Sequence, residues 1–344
     1  MDNNFSWESE GNQDSSAAKE ELKQLRKTLR KHNTTLVFVS LTLVIAILLS
    51  GIYVFIPLVE SFFLHPGLKS YSSNADDLTL TLHAYIELLF PGQEIVYVNA
   101  RPTNGLAAYQ LSICIRDVNR NEYSYLEGTL EKNEILLEQS LSHAYPDWSE
   151  FGCSNGQTEL MRYSHMEEVR DTLECLPEYV NLEAIIAFPE DISMEQLSKF
   201  YYDHHTNSTD DPLKITWVAI RSAPSEERPL FLCGMNPFSS QAQYDGLDET
   251  YPNFTTSVYK RNSQNLSEHF QSFLRFSSDQ FELGRGIPIF WDLNYYQGVL
   301  DYVEEYGVYS YGCVVNASAN TLLHLLDEGF ISYITIKDAW IDID

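Results

Sequence analysis

Polar and apolar positions part company early in this chain. From Lys19 to His32 nearly every residue is charged or polar; from Leu36 to Val59 not one residue is charged. As a helix the second stretch would rise about 36 Å at 1.5 Å per residue. A bilayer's hydrocarbon core is about 30 Å thick, so the run is long enough to cross it with some tilt. A cleavable signal would have a shorter apolar core and small residues at its exit. Here the exit reads "YVFIPLVESFF". An uncleaved anchor is expected over 34–59. The six basic residues Lys19, Lys23, Arg26, Lys27, Arg30 and Lys31 precede the run, and only Lys69 follows closely. The Lys/Arg excess marks the cytoplasmic flank. The expectation is a single-pass chain in the cell membrane, its N-terminal arm (1–33) cytoplasmic and the rest extracytoplasmic.

Beyond the apolar run the pattern becomes that of a mixed helix and sheet protein. "LTLTLHAYIELLFPG" reads as a helix stopped by Pro91-Gly92. "EIVYVNARP", "AAYQLSICIRD" and "SYLEGTLEKNEI" alternate like half-buried strands, with "DVNRNEYS" as a hairpin connection. Asp, Ser, Gly and Asn collect between about 137 and 158, a looser linker. Next come a strand ("LEAIIAFPE"), a helix ("DISMEQLSKFYYDH") and a strand ("LKITWVAIRS"). Ser193 with Gln196 three residues on has the capping-box pattern. The C-terminal end repeats the plan: strand "GVYSYGCVVNAS", helix "ANTLLHLLDEG", strand "FISYITIKDAWI". Two helical segments, "SEHFQSFLRF" and "YYQGVLDYVEEYG", lie between. The expected class is α+β, helices packed on a sheet, with regions at 60–158 and 159–344.

Charge and cysteine usage narrow the partners. The net charge is −27, yet residues 1–33 balance six bases with six acids, so the whole excess lies beyond the apolar run. Such a surface repels nucleic acid. Five widely spaced cysteines do not make a disulfide scaffold. Cys114, Cys233 and Cys313 sit in strand-like apolar runs, where a small core residue is expected.

Candidate chemistry is sparse. No phosphate-binding glycine loop, G-x-S-x-G, H-E-x-x-H or calcium loop occurs, and no metal or cofactor is expected. His204-His205 falls in an Asp-rich stretch and reads as a solvated loop. In the arm, Leu22, Leu25 and Leu29 recur at i, i+3 and i+7, a narrow apolar stripe on a charged helix. It suits either a juxtamembrane helix beside anionic headgroups or docking into a groove of a cytosolic partner.

Several stretches resemble the membrane-anchored sigma factor regulators of Gram-positive bacteria. "LHAYIELLFPG", "GLAAYQLSI" and "YLEGTLEKNEI" are similar to that family's N-terminal region. "AIIAFPEDISMEQLSKF…ITWVAIRS" and "YGCVVNASANTLLHLLDEGFISYITIKDAWI" are similar to its C-terminal domain. The resemblance implies an anti-sigma regulator without enzymatic activity, restraining an extracytoplasmic-function sigma factor in the cytoplasm while the outer region senses or binds a partner. An arm of about 33 residues is too short for a packed domain of its own, so a second membrane subunit is a further expected partner. The class that competes is a type II membrane enzyme such as a glycosyltransferase. The only D-x-D its metal-dependent forms would need is Asp342-Ile-Asp344, at the terminus.

Overall fold

The computed structural model describes residues 11–55, 58, 70–72, 75–105, 107–131, 134–138, 148–151, 159–206, 213–224, 232–237, 247, 249–254, 263–280 and 293–341. It divides into two compact units, Met1–Phe63 and Leu64–Asp344.

The first unit is helix α1, Gly11–Ser50, which runs without a break from the charged arm into the apolar run and ends in a π-helical turn, Gly51–Phe55. Pro57 follows closely; without an N–H it cannot continue the ladder. The helix is a candidate membrane span, and none of its apolar window is buried. Four of its threonines return their hydroxyls to the carbonyl one turn back, as Thr42 does to Phe38 at 2.8 Å. That internal bond removes the cost of placing a hydroxyl among apolar groups.

In the second unit a short pair, β1 (Ser70–Ser72) and β2 (Ala75–Asp76), leads into α2, Asp77–Leu89. A four-stranded antiparallel meander follows: β3 (Gln93–Pro102), β4 (Ala108–Asp117), β5 (Glu122–Glu131) and β6 (Glu134–Leu137). Phe151, from the 3-10 turn Trp148–Phe151, is fully buried. Helix α3, Glu159–Cys175, comes next and has no counterpart in the sequence expectations. Its Met166, Val169 and Leu173 face the core at helical spacing.

The remaining elements build the second sheet. They are β7 (Val180–Ser193), α4 (Met194–Tyr201), β8 (Lys214–Ile220), β9 (Gly234–Met235), α5 (Ser263–Asp279), α6 (Leu293–Tyr306), β10 (Tyr309–Ser318), α7 (Ala319–Asp327) and β11 (Tyr333–Ile341). The strand order is β11-β7-β10-β8-β9, every pairing antiparallel. Strands β7 and β8 therefore run parallel with β10 between them, and β10 and β11 run parallel with β7 between them. The two strand–helix–strand units are interleaved, each holding the other's strand in its gap: the split β-α-β or ferredoxin-like arrangement, with α5 and α6 inserted in the middle. Both crossover helices start the same way. Ser193 caps α4 in a complete capping box with Gln196, and the Ser318 hydroxyl accepts from the Thr321 N–H at the start of α7.

One face of this sheet (Leu182, Ile186, Val315) joins the main core with α4 and α7. The other carries Ile185, Trp217 and Val314 against Phe151 and Tyr311. There Gly312 is a matter of space: a Cβ would lie 2.3 Å from the Ile186 carbonyl oxygen and 2.8 Å from the Phe151 ring. His204 is not in a solvated loop. It occupies a π-helical turn after α4, half-buried between the rings of Phe200 and Phe330 at 4.8 and 4.9 Å, and burial lowers its pKa. Cys114, Cys233 and Cys313 are buried and unbridged, and burial pushes the Cys233 thiol up to about 12. Cys175 is exposed and free. Asp342 and Asp344 lie outside the described residues.

Candidate functional site

Leu22, Leu25 and Leu29 fall on one stripe of α1 and are exposed by 56, 59 and 55%. Nothing within their own unit covers them. Leucines exposed on a charged helix cost roughly 25 cal/mol per Å² of apolar surface left in water.

A second candidate lies in the second unit, in a cleft of about 760 Å³ between α3 and α7. Its size falls within the range of small-ligand sites. Arg162, Tyr163, Met166, Glu167 and Arg170 of α3 line one wall, and Leu326 and Ser332 the other. Helical spacing gathers the α3 residues on one side. Met166 and Leu326 supply an apolar floor. Arg170 is held at one end by Asp327, Nη1 to Oδ1 2.8 Å. The Arg162 guanidinium lies 5.5 Å from the centre of the Tyr333 ring, a cation–π contact. His165 stacks on the same ring at 4.9 Å and reaches the Ile334 carbonyl through Nε2 at 3.1 Å. Glu167, hydrogen-bonded to the Tyr163 hydroxyl, holds that phenol above its usual range. Two arginines, an exposed tyrosine and an apolar floor can recognise an anionic, partly apolar group. Among the described residues, no cluster of three His, Cys, Asp or Glu could hold a metal ion.

Two polar clusters bind the second unit together. In α2, Glu87 is buried against His269 of α5, Oε1 to Nε2 2.9 Å, and His83 stands one turn away, Nε2 to Oε2 3.5 Å. The His269 ring also points Nδ1 at the Asn253 carbonyl, 2.8 Å. Both ring nitrogens thus face oxygen atoms. Burial alone would raise the Glu87 pKa, but the bonds and charge of His269, then His83, outweigh it and bring it to about 2. The Trp217 indole donates to the Glu87 carbonyl at 2.8 Å, tying α2 to the second sheet.

The other cluster is at the tip of the β4–β5 hairpin. Asp117, Glu183, Asn316 and Lys214 meet there. Asn119 donates to Glu183 (2.9 Å) and accepts from Asn316 (2.9 Å), and Lys214 donates to the Val118 carbonyl (3.0 Å). Arg120 pairs with Asp338. Asp338, Glu183, Asn316 and Lys214 are cross-strand partners, one polar row across β11, β7, β10 and β8. Burial raises the Glu183 pKa against the Asn119 bond.

The cleft and both clusters escaped the sequence reading. The spacing of Met166, Val169 and Leu173 could have revealed α3, and His83 with Glu87 at i, i+4 in an apolar helix could have marked the buried pair. His269 and the polar row are brought in from distant segments.

Residues 173–338 match the family model described as sigma factor regulator C-terminal. The match takes in the entire interleaved sheet except the last residues of β11, and begins at the end of α3, so one wall of the cleft lies outside it. No curated protein and no solved structure matches the chain.

Proposed function

The chain carries the C-terminal domain of the sigma factor regulator family, and on that premise we propose that it is a single-pass membrane anti-sigma factor. Its N-terminal arm faces the cytoplasm and restrains an extracytoplasmic-function sigma factor. The unit from Leu64 onward lies outside and senses the envelope or a partner. What carries the reading is the family match in a chain whose α1 is apolar enough to span a membrane and offers no buried residue in that window. The basic flank at Lys19–Lys31 supports the orientation.

Leu22, Leu25 and Leu29 contact the sigma factor by laying a leucine stripe into a groove. The α3–α7 cleft is the outer unit's recognition site. A ligand there shifts a transmembrane equilibrium only by its preference for one arrangement of the unit. A second membrane subunit completes the cytoplasmic module, since the arm alone has no core.

Affinity capture of the full-length protein in mild detergent, beside a form lacking residues 2–33, tests this. Recovery of a sigma factor with the intact arm alone supports the reading. Recovery of another membrane protein by both forms, with no sigma factor, would make the chain an accessory subunit instead. Changing Leu22, Leu25 and Leu29 together to Ala, with insertion intact, should derepress the target genes; unchanged repression removes those leucines from the contact.

A further inference from the structure

The leucine stripe does not stop at the arm. Leu22, Leu29, Leu36 and Leu43 recur at intervals of seven, and Leu25, His32, Val39 and Ala46 recur in the same phase between them. In heptad letters these are the a and d positions of one seam. All belong to the unbroken helix α1, and the large apolar members stand exposed, Leu36 by 52%, Val39 by 60% and Leu43 by 61%. Within the arm, every position from Lys19 to His32 outside a and d is polar or charged. A strict a/d stripe of this kind is the narrow seam of a coiled coil, not the broader face that packs on a globular core.

We propose that this seam pairs α1 with α1 of a second copy of the same chain, in parallel and in register, from Leu22 through Leu43. Three observations favour a copy over another occupant. A cytosolic protein could cover Leu22 to Leu29, but a partner that follows the same seam through Leu36, Val39 and Leu43 must itself lie along the apolar run. A second copy enters the membrane the same way, so its helix is parallel with the same register.

The flanking positions also complement one another in that register. Glu21 at g faces Arg26 at e of the copy, an opposite-charge pair of the kind that sets coiled-coil orientation. Lys23, Lys27, Arg30 and Lys31 occupy b, c and f, away from the seam. Thr28, Thr35 and Thr42 all fall at g. Their hydroxyls are bonded back to Gln24, Lys31 and Phe38 at 2.9, 2.8 and 2.8 Å, so each presents a compact side chain with its polar atom already satisfied. Small residues beside the seam suit close approach of helices within lipid. The polar His32 at d breaks the apolar seam once, as a register-setting polar residue does.

Self-pairing rests on the membrane-span part of the proposed function and stands independently of the sigma factor part. Joined to it, it gives the arm two exclusive states: Leu22, Leu25 and Leu29 are covered either by the copy or by the sigma factor. That exclusivity rests on the sigma factor reading; the pairing does not.

Cysteine cross-linking of the full-length chain in native membranes tests the pairing. In a Cys153→Ser, Cys175→Ser background, single cysteines replace each residue from Leu22 to Leu43 in turn, and disulfide-linked dimer is measured after mild oxidation. Pairing on this seam requires maxima at Leu22→Cys, Leu25→Cys, Leu29→Cys, Leu36→Cys and Val39→Cys, at least about fivefold above Lys23→Cys, Lys27→Cys and Arg30→Cys. Uniform yields, maxima on another face, or dimer no higher than in the background overturn the proposal. So do links only to a different membrane protein. A second variant, Leu36→Ala/Val39→Ala/Leu43→Ala, leaves the three arm leucines in place. It should lower cross-linking at Leu22→Cys without lowering sigma factor capture. Periodic dimer with no sigma factor captured by the parent chain would leave the pairing standing and remove the sigma factor reading.

Discussion

Two apolar helices of this protein meet opposite fates. In α1 the apolar window from Leu36 onward has no residue buried in the chain, whereas in α2 the side chains of Leu78, Leu80, Leu82, Leu88 and Leu89 are all buried. Hydrophobicity does not distinguish them. Length does: α2, Asp77–Leu89, spans about 20 Å, short of a hydrocarbon core, while the uncharged run of α1 exceeds it. Content separates them as well. Helix α2 carries His83 and Glu87, which would be expensive in lipid, and finds their partner in α5. Helix α1 keeps its polar hydroxyls bonded within itself. A helix destined for a protein core can import polar partners from distant segments; one destined for lipid must satisfy its own groups.

The contrast can be broken most forcefully at Glu87. Replacing it with Ala strands the buried His269 and should cost the second unit about 3–5 kcal/mol, read from denaturant unfolding by tryptophan fluorescence. Leu88→Ala should cost about 2–5 kcal/mol in the same assay, whereas Leu43→Ala in α1 should move that transition by less than about 0.5 kcal/mol. Equal losses at Leu88 and Leu43 would erase the distinction between the helices.

The polar latch around Asn119 offers a smaller effect. Asn119→Ala leaves Glu183 and Asn316 without their shared partner and should cost about 1–3 kcal/mol; no loss would mean that water replaces Asn119 freely.

Buried Glu87 and half-buried Glu183 should also respond to pH with opposite sign. Glu87 is depressed to about 2 from 4.5. Its stabilisation is present above the ordinary carboxylate range and is lost as pH falls from 4.5 towards 2. Glu183 is raised, so its contribution is full below the ordinary range and is lost as pH rises through its folded value. In pH-dependent unfolding, Glu87→Gln should flatten the acid limb and Glu183→Gln should flatten the decline above it. The same slope change in both variants would refute the assignment.

Least affected should be the helix starts. Ser193→Ala and Ser318→Ala each remove one capping acceptor and should cost about 1 kcal/mol, seen as a small fall in the midpoint. A loss as large as at Glu87 would place these serines in a wider network.

Much of the fold was legible because it rests on local patterns. Alternation marked β3, β4, β8, β10 and β11, and Ser193 with Gln196 marked the start of α4, because a strand's two faces and a helix's unsatisfied N–H groups act within a few residues. The uncharged run of α1 and its heptad spacing are likewise properties of neighbouring residues. Pairing order is not. That β10 lies between β7 and β8, closing two strand–helix–strand units into one interleaved sheet, depends on contacts between segments far apart in the chain, such as Ser310 with Ile220 and Ser318 with Asn181. The same holds for His269 reaching Glu87 and for Asp338, Glu183, Asn316 and Lys214 forming one row beneath Asn119. The α3–α7 cleft exists only because α3 packs beside β11 and against α7 and the chain returns past Ser332. By itself the sequence determined most of the segments that are helix, strand or membrane-length, α3 excepted, since those follow from side-chain periodicity and backbone hydrogen bonding close in the chain. Only the tertiary structure decided which polar groups meet, since a buried charge is stabilised by whatever partner the fold brings within about 3 Å of it.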